Sequence, residues 1–155
     1  MATHNRFVRM EQRRQEQARL AYRMQAGDRQ REQDTQLDKL YFDKRKRFFP
    51  MSLTDGQIHI HVLQDIDAFR TEAEIMHHCV YSCGYWNMKT HPDSLILSAT
   101  IDGCHVETIE VNLKFYRIQQ AYGKHNKFTP FHERILSLVN DNMDIIRDYN
   151  KLRAA

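Results

Sequence analysis

The sequence predicts an α+β fold: an antiparallel sheet of about four strands covered by two helices, preceded by a long basic N-terminal helical arm. Three observations carry this prediction. Residues 57–63 alternate polar and apolar side chains with period two, the pattern of a half-buried strand. Two runs rich in apolar and β-branched residues flank Asp102-Gly103, a hairpin turn signal. Residues 131–149 repeat apolar positions at three- and four-residue intervals, as one helix face does. A chain of 155 residues holds one small domain and an appendage, which excludes a β/α barrel and most large enzyme folds. Its five glycines form neither GxGxxG nor GxxxxGK[ST], so no phosphate-cradling loop is expected.

Residues 1–49 form the predicted arm or linker and residues 50–155 the α+β domain. The arm holds 13 Lys or Arg and 7 Asp or Glu, an excess of six positive charges, whereas the remainder holds 10 basic and 13 acidic residues. Any attraction to nucleic acid therefore belongs to the arm. Residues 5–36 are rich in Arg, Gln and Glu, which favours a helix by propensity alone. Met10, Ala18, Leu20, Ala21, Tyr22 and Met24 make one short apolar stripe, which Gly27 and the polar stretch 28–36 are expected to break. That describes either a solvated helix or a coiled-coil element meeting a protein partner or a second copy of the chain.

Leu37, Leu40, Tyr41 and Phe42 resume an apolar face. The run Lys44, Arg45, Lys46, Arg47 follows, a candidate nucleic-acid contact beside Phe48 and Phe49. The alternative is a solvated helix end that complements the dipole. Pro50 ends the segment.

Asp55-Gly56 turns into the first strand, with Ile58, Ile60 and Val62 facing the core. Asp65 or Asp67 can cap the next helix, whose face is Ile66, Phe69, Ala73 and Met76 and whose end delivers His77, His78 and Cys79. Residues 81–93, with Gly84 and Pro92, read as a loop. Strands follow over 95–101, 104–111 and 115–122, the last ended by Gly123. Thr129 before Pro130 caps a final long helix whose face is Phe131, Ile135, Leu138, Asn142, Ile145 and Tyr149. Ile135, Leu138 and Ile145 are expected to bury against the sheet.

No apolar run approaches the ~20 residues that span a bilayer, and the first residues show no apolar secretory stretch. A cytoplasmic location without a membrane partner is expected. Cys79, Cys83 and Cys104 are then reduced thiols or ligands rather than a disulfide framework. With His77, His78 and His105 they offer zinc-binding groups, but the spacing shows neither CxxC nor HExxH, so no metal and no cofactor are expected.

Candidate catalytic residues are His78 and Cys79 from a helix end, Glu110 from a strand, and Gln120 and Asn126 from a strand end and turn. A His or Cys beside a carboxylate and amides is what general acid–base or nucleophilic chemistry uses, because imidazole titrates near neutrality and can activate a thiol. The alternative is a satisfied structural network with Cys79 as a small core residue and Asn126 as a turn former. His78 and Glu110 are expected within hydrogen-bond reach, or one bridging water, of each other, since a buried carboxylate needs a partner.

Met76-His77-His78-Cys79-Val80, Ser94-Leu95-Ile96-Leu97-Ser98-Ala99, Glu107-Thr108-Ile109-Glu110-Val111 and then Gln120, Gly123, Asn126 and Asn140 resemble the PcfJ-like family. The resemblance covers about residues 37–152, without a contribution from the first 36. Members often carry Arg before the glycine of Q-x-R-G-x-x-N, where this chain has Tyr122 and so lacks a charge. The resemblance implies a place in bacterial conjugative plasmids and integrated mobile elements, as an accessory protein in DNA processing or regulation around conjugation. It would act through nucleic-acid or protein binding by the arm. The residues also admit a small hydrolase or nuclease-like enzyme using the five candidates, or a coiled-coil scaffold built on the arm.

Overall fold

The structure, a computed structural model, describes residues 2–152 and, in the first helix, the side chains of residues 6–21, 24, 29 and 32–45. Contacts divide the chain into two units, Met1–Gln36 and Leu37–Ala155. Helix α1 spans Ala2–Arg45 and runs on through Gly27 and the polar stretch after it, because one glycine among strong helix formers costs only about 1 kcal/mol. Phe7, Met10, Leu20 and Met24 are exposed along it. The side chains of Tyr22, Gly27 and Asp28, invoked in the expected stripe and its break, lie outside the described residues.

From Leu37 onward α1 belongs to the second unit. Tyr41 is buried, meets Phe69 edge-on at 5.3 Å and donates its hydroxyl proton to the Leu63 carbonyl. Burial, only partly offset by the charge of Arg45, pushes that phenol well above its ordinary pKa. A single 3-10 turn, Lys46–Phe48, follows and drives Phe48 into the core.

The sheet is wholly antiparallel in the order β1-β2-β3-β4-β5, comprising Ser52–Thr54, Ile58–Val62, Ser94–Ile101, Cys104–Asn112 and Arg117–Tyr122. It has five strands rather than about four, since three-residue β1 is too short for alternation to reveal. Helix α2 is Ile66–Met76, capped as expected by Asp65, which accepts from the Ala68 N–H at 2.7 Å.

Two corrections concern the helices. The final helix is two, α3 (His132–Asp141) and α4 (Met143–Lys151), separated at Asn142, whose side chain donates to the Leu138 carbonyl at 2.7 Å. The break changes the register: Ile135, Val139 and Ile146 are fully buried, Leu138 is partly buried, and Ile145 is exposed. Thr129 does not cap α3, whose first turn follows Phe131.

The helices also do not share one face of the sheet. Leu95, Leu97, Ala99, Ile109 and Val111 pack with α3 and α4, while Ile96 packs with Phe69 of α2, Tyr41 of α1 and Val80. Apolar residues alternate to both sides of β3, so both faces must be covered. Among the described residues no helix is long and apolar enough to cross a membrane.

Candidate functional site

His77 closes α2 in the left-handed conformation at φ 50°, which turns the chain so that His78 and Cys79 lie over the sheet. His125 and Asn126 each hold φ 58°, and the His125 ring stacks on His77 at 4.8 Å. Three non-glycine residues in a costly conformation thus join the end of α2 to the turn after β5. Gly123 lets that turn close: a Cβ there would sit 2.6 Å from Thr129 Cγ2, 2.9 Å from the Val106 carbonyl oxygen and 3.0 Å from that of Lys127.

His78, Cys79, Glu110, Gln120 and Asn126 line one small open concavity, walled also by Tyr85, Thr108 and Tyr122. The five are brought together, but His78 and Glu110 are not bonded to each other. His78 Nε2 lies 2.8 Å from Thr108 Oγ1, and Thr108 donates to Glu72 Oε1 at 2.6 Å. Glu110 instead accepts from Ser94 Oγ at 2.6 Å and from Gln120 Nε2 at 3.0 Å, and Gln120 also reaches the Tyr85 hydroxyl at 3.0 Å. The physical reason is strand geometry: Thr108 and Glu110 point the same way about 7 Å apart, and the end of α2 lies over Thr108.

Glu72 is fully buried and also accepts from Ser98 Oγ at 2.9 and 3.0 Å, with His105 Nδ1 at 2.6 Å. Because the single Thr108 hydroxyl proton goes to Glu72, the Thr108 oxygen accepts from His78 Nε2–H. The lone pair of His78 therefore sits on Nδ1, which the Val80 N–H faces at 3.4 Å. Burial lowers the His78 pKa below its ordinary value, so the ring is neutral at pH 7. Burial does the same to His61, which neighbours Glu72 and His105.

Glu72, Ser98, His105 and Thr108 were not among the sequence candidates. Glu72 had a signal, a carboxylate on the apolar stripe between Phe69 and Met76; Ser98 had another, a hydroxyl inside an apolar strand. His105 had none, because a bulge after Ala99 shifts the alternation that brings it to Glu72. Glu107 lies in the other layer, fully buried, accepting from the Thr129 N–H at 3.0 Å and hydroxyl at 2.6 Å, with His132 Nδ1 at 2.8 Å. It anchors the segment from Gly123 to α3.

The three cysteines are free and exposed, so Cys79 is a pocket-wall thiol rather than a core residue. Among the described residues no group of three or more His, Cys, Asp or Glu is placed to hold a metal ion. Of the basic run, Lys44 is exposed, Lys46 lies over the Phe42 ring, Arg47 donates to the Asn150 carbonyl at 2.9 Å and Arg45 is only 4% exposed. Arg45 is thus an internal strut, and Phe48 is buried away from any base.

The fold and pocket define an α+β domain with helices on both sheet faces and a polar cleft at the end of α2. The chain belongs to the PcfJ-like protein family, whose model matches residues 1–136. The match begins in the arm, not near residue 37 as the motifs suggested, and ends within α3. No curated relative and no solved structure matches the chain.

Proposed function

We propose that this PcfJ-like protein is an accessory factor of a bacterial mobile element, assisting DNA processing or regulation in conjugation, and that its pocket performs acid–base chemistry. The observation behind the chemical half is the convergence of His78, Cys79, Glu110, Gln120 and Asn126, from four segments of chain, on one pocket. In this reading His78 Nδ1 takes a proton from an attacking water or from the Cys79 thiol. Thr108 and Glu72 steady the resulting imidazolium through Nε2–H. Gln120 and Asn126 orient the substrate; the Asn126 side chain makes no hydrogen bond among the described residues. The wall carries the Glu110 carboxylate and neither Lys nor Arg, which suits hydrolysis of a neutral or cationic substrate better than of a phosphodiester.

The test is hydrolysis of an activated ester, p-nitrophenyl acetate, by the full chain. The expected rate exceeds buffer background, and His78→Gln lowers it by about 10²-fold or to background. Cys79→Ala separates attack by the thiol from attack by water. Equal rates for wild type and His78→Gln would overturn the chemical half. The nucleic-acid half is supported by exposed Arg6, Arg9, Arg13, Arg14, Arg19 and Arg29 along α1.

A further inference from the structure

The run from Lys44 to Arg47 does more than end a helix. Lys44, Arg45 and Arg47 line a cleft of about 210 Å³, closed on its other sides by Met88, Asp93 and Asn150. Arg45 is held rigidly there, its Nη2 donating to the Pro92 carbonyl at 2.7 Å and the Ser94 carbonyl at 3.0 Å. Its Nε is buried with no hydrogen-bond partner. Arg47 is fixed by its bond to the Asn150 carbonyl. All these acceptors are neutral, and among the described residues no carboxylate forms an ion pair with Lys44, Arg45 or Arg47. Asp93 is the one acidic residue in the cleft wall. Asp93 favours the charge of Arg45 from a distance without forming an ion pair, so the buried guanidinium is only partly compensated, and a buried donor without an acceptor marks a place where polar structure serves something beyond packing.

We infer that this cleft binds a phosphate group, contacted by Lys44 and Arg47 at the mouth and attracted by the fixed charge of Arg45 behind them. The inference rests on the nucleic-acid half of the proposed function and names the place where a phosphate is held. Two guanidinium groups immobilised by backbone carbonyls are preorganised, so little side-chain entropy remains to be lost when the anion enters. A free phosphate and a backbone phosphate of nucleic acid share this chemistry.

The experiment titrates the full chain with sodium phosphate, against sodium chloride at equal ionic strength, following the amide signals of Asp93, Leu113 and Asn150. A second titration uses a short oligothymidine. Phosphate should shift these signals and chloride should not. Lys44→Gln, an exposed and structurally mild change, should weaken phosphate binding about tenfold, and Arg47→Gln likewise once its unfolding midpoint shows it folded. Asp93→Asn should tighten binding several-fold by removing the one repulsive charge. Equal responses to phosphate and chloride, or binding unaffected by Lys44→Gln, would overturn the cleft. Phosphate binding that oligothymidine does not displace keeps the cleft and removes the nucleic-acid reading. Oligothymidine binding that survives both substitutions, without phosphate-specific shifts, keeps nucleic acid on the arm and overturns the cleft.

Discussion

His78 Nε2 stands 2.8 Å from Thr108 Oγ1, and that single hydroxyl is all that separates the imidazole from the buried carboxylate of Glu72. Thr108 therefore orients the ring while keeping Glu72 out of direct contact. Thr108→Val preserves shape and removes the hydroxyl. It should cost about 1–3 kcal/mol by leaving Glu72 and His78 each short of a partner, read as a lower urea midpoint. If His78 is the base, the same variant should also lower ester hydrolysis while Ser98→Ala, which meets Glu72 and His105 but not His78, lowers it less.

Gly123 is required for close approach rather than for an unusual dihedral angle, since its φ is −89°. Two of the three atoms a Cβ would strike are backbone oxygens, which cannot rotate away. Gly123→Ala should destabilise the protein by about 1–3 kcal/mol, as overpacking does. Thermal unfolding measures it; a midpoint equal to wild type would show that the turn after β5 opens readily.

The break at Asn142 makes neighbouring positions of α3 and α4 unequal. Ile135→Ala should cost about 2–5 kcal/mol, since Ile135 is fully buried in the core. Leu138→Ala should cost clearly less because Leu138 is only partly covered, and Ile145→Ala less again. Equal losses at Ile135 and Ile145 would mean that α4 packs in a different register.

Lowered histidine pKa values make stability depend on acid. His61 and His78 are held below their ordinary value chiefly by burial, so the unfolded chain binds their protons first as pH falls. Their contribution is complete above about pH 6.5 and is lost as pH drops from there through the folded values. Asp55, held at about 2 by the Ile58 N–H and then by Arg134 and Gln57, acts in the same direction below about pH 4. The unfolding midpoint in urea should fall between pH 7 and pH 5, and His61→Gln with His78→Gln should flatten that slope. A midpoint constant over this interval in the wild type contradicts the assignment.

Removal of residues 1–36, which leaves the second unit intact, should weaken nucleic-acid association and reduce its salt dependence, because exposed arginines of the first unit are lost. Truncation at Ser52 is unsuitable, since it would also delete Tyr41 and Phe48 from the core. Unchanged affinity and salt slope in the shorter chain would show that the arm carries none of the binding.

Much of the local structure was legible because each element repeats a simple period. Alternation at Ile58, Ile60 and Val62 gave the strand its inward face, and Asp65 announced the start of α2. That His78, Cys79, Glu110, Gln120 and Asn126 share one pocket was anticipated from where the elements end, since a helix end, a strand and the turn after the last strand deliver them. The partners of those residues were not. Whether His78 meets Glu110 or Thr108 depends on where the end of α2 lies along β4, a relation between segments distant in sequence. Bulges after Ala99 and Glu110 also reset the alternation that a linear pattern assumes, and bring His105 and Gln120 to their carboxylates. The same limit applies to Arg45. Its neighbours in the sequence describe a solvated cationic run, and only the packing of α1 against the loop before β3 decides that its guanidinium is buried on two carbonyls, because burial is set by what the rest of the chain places around a residue.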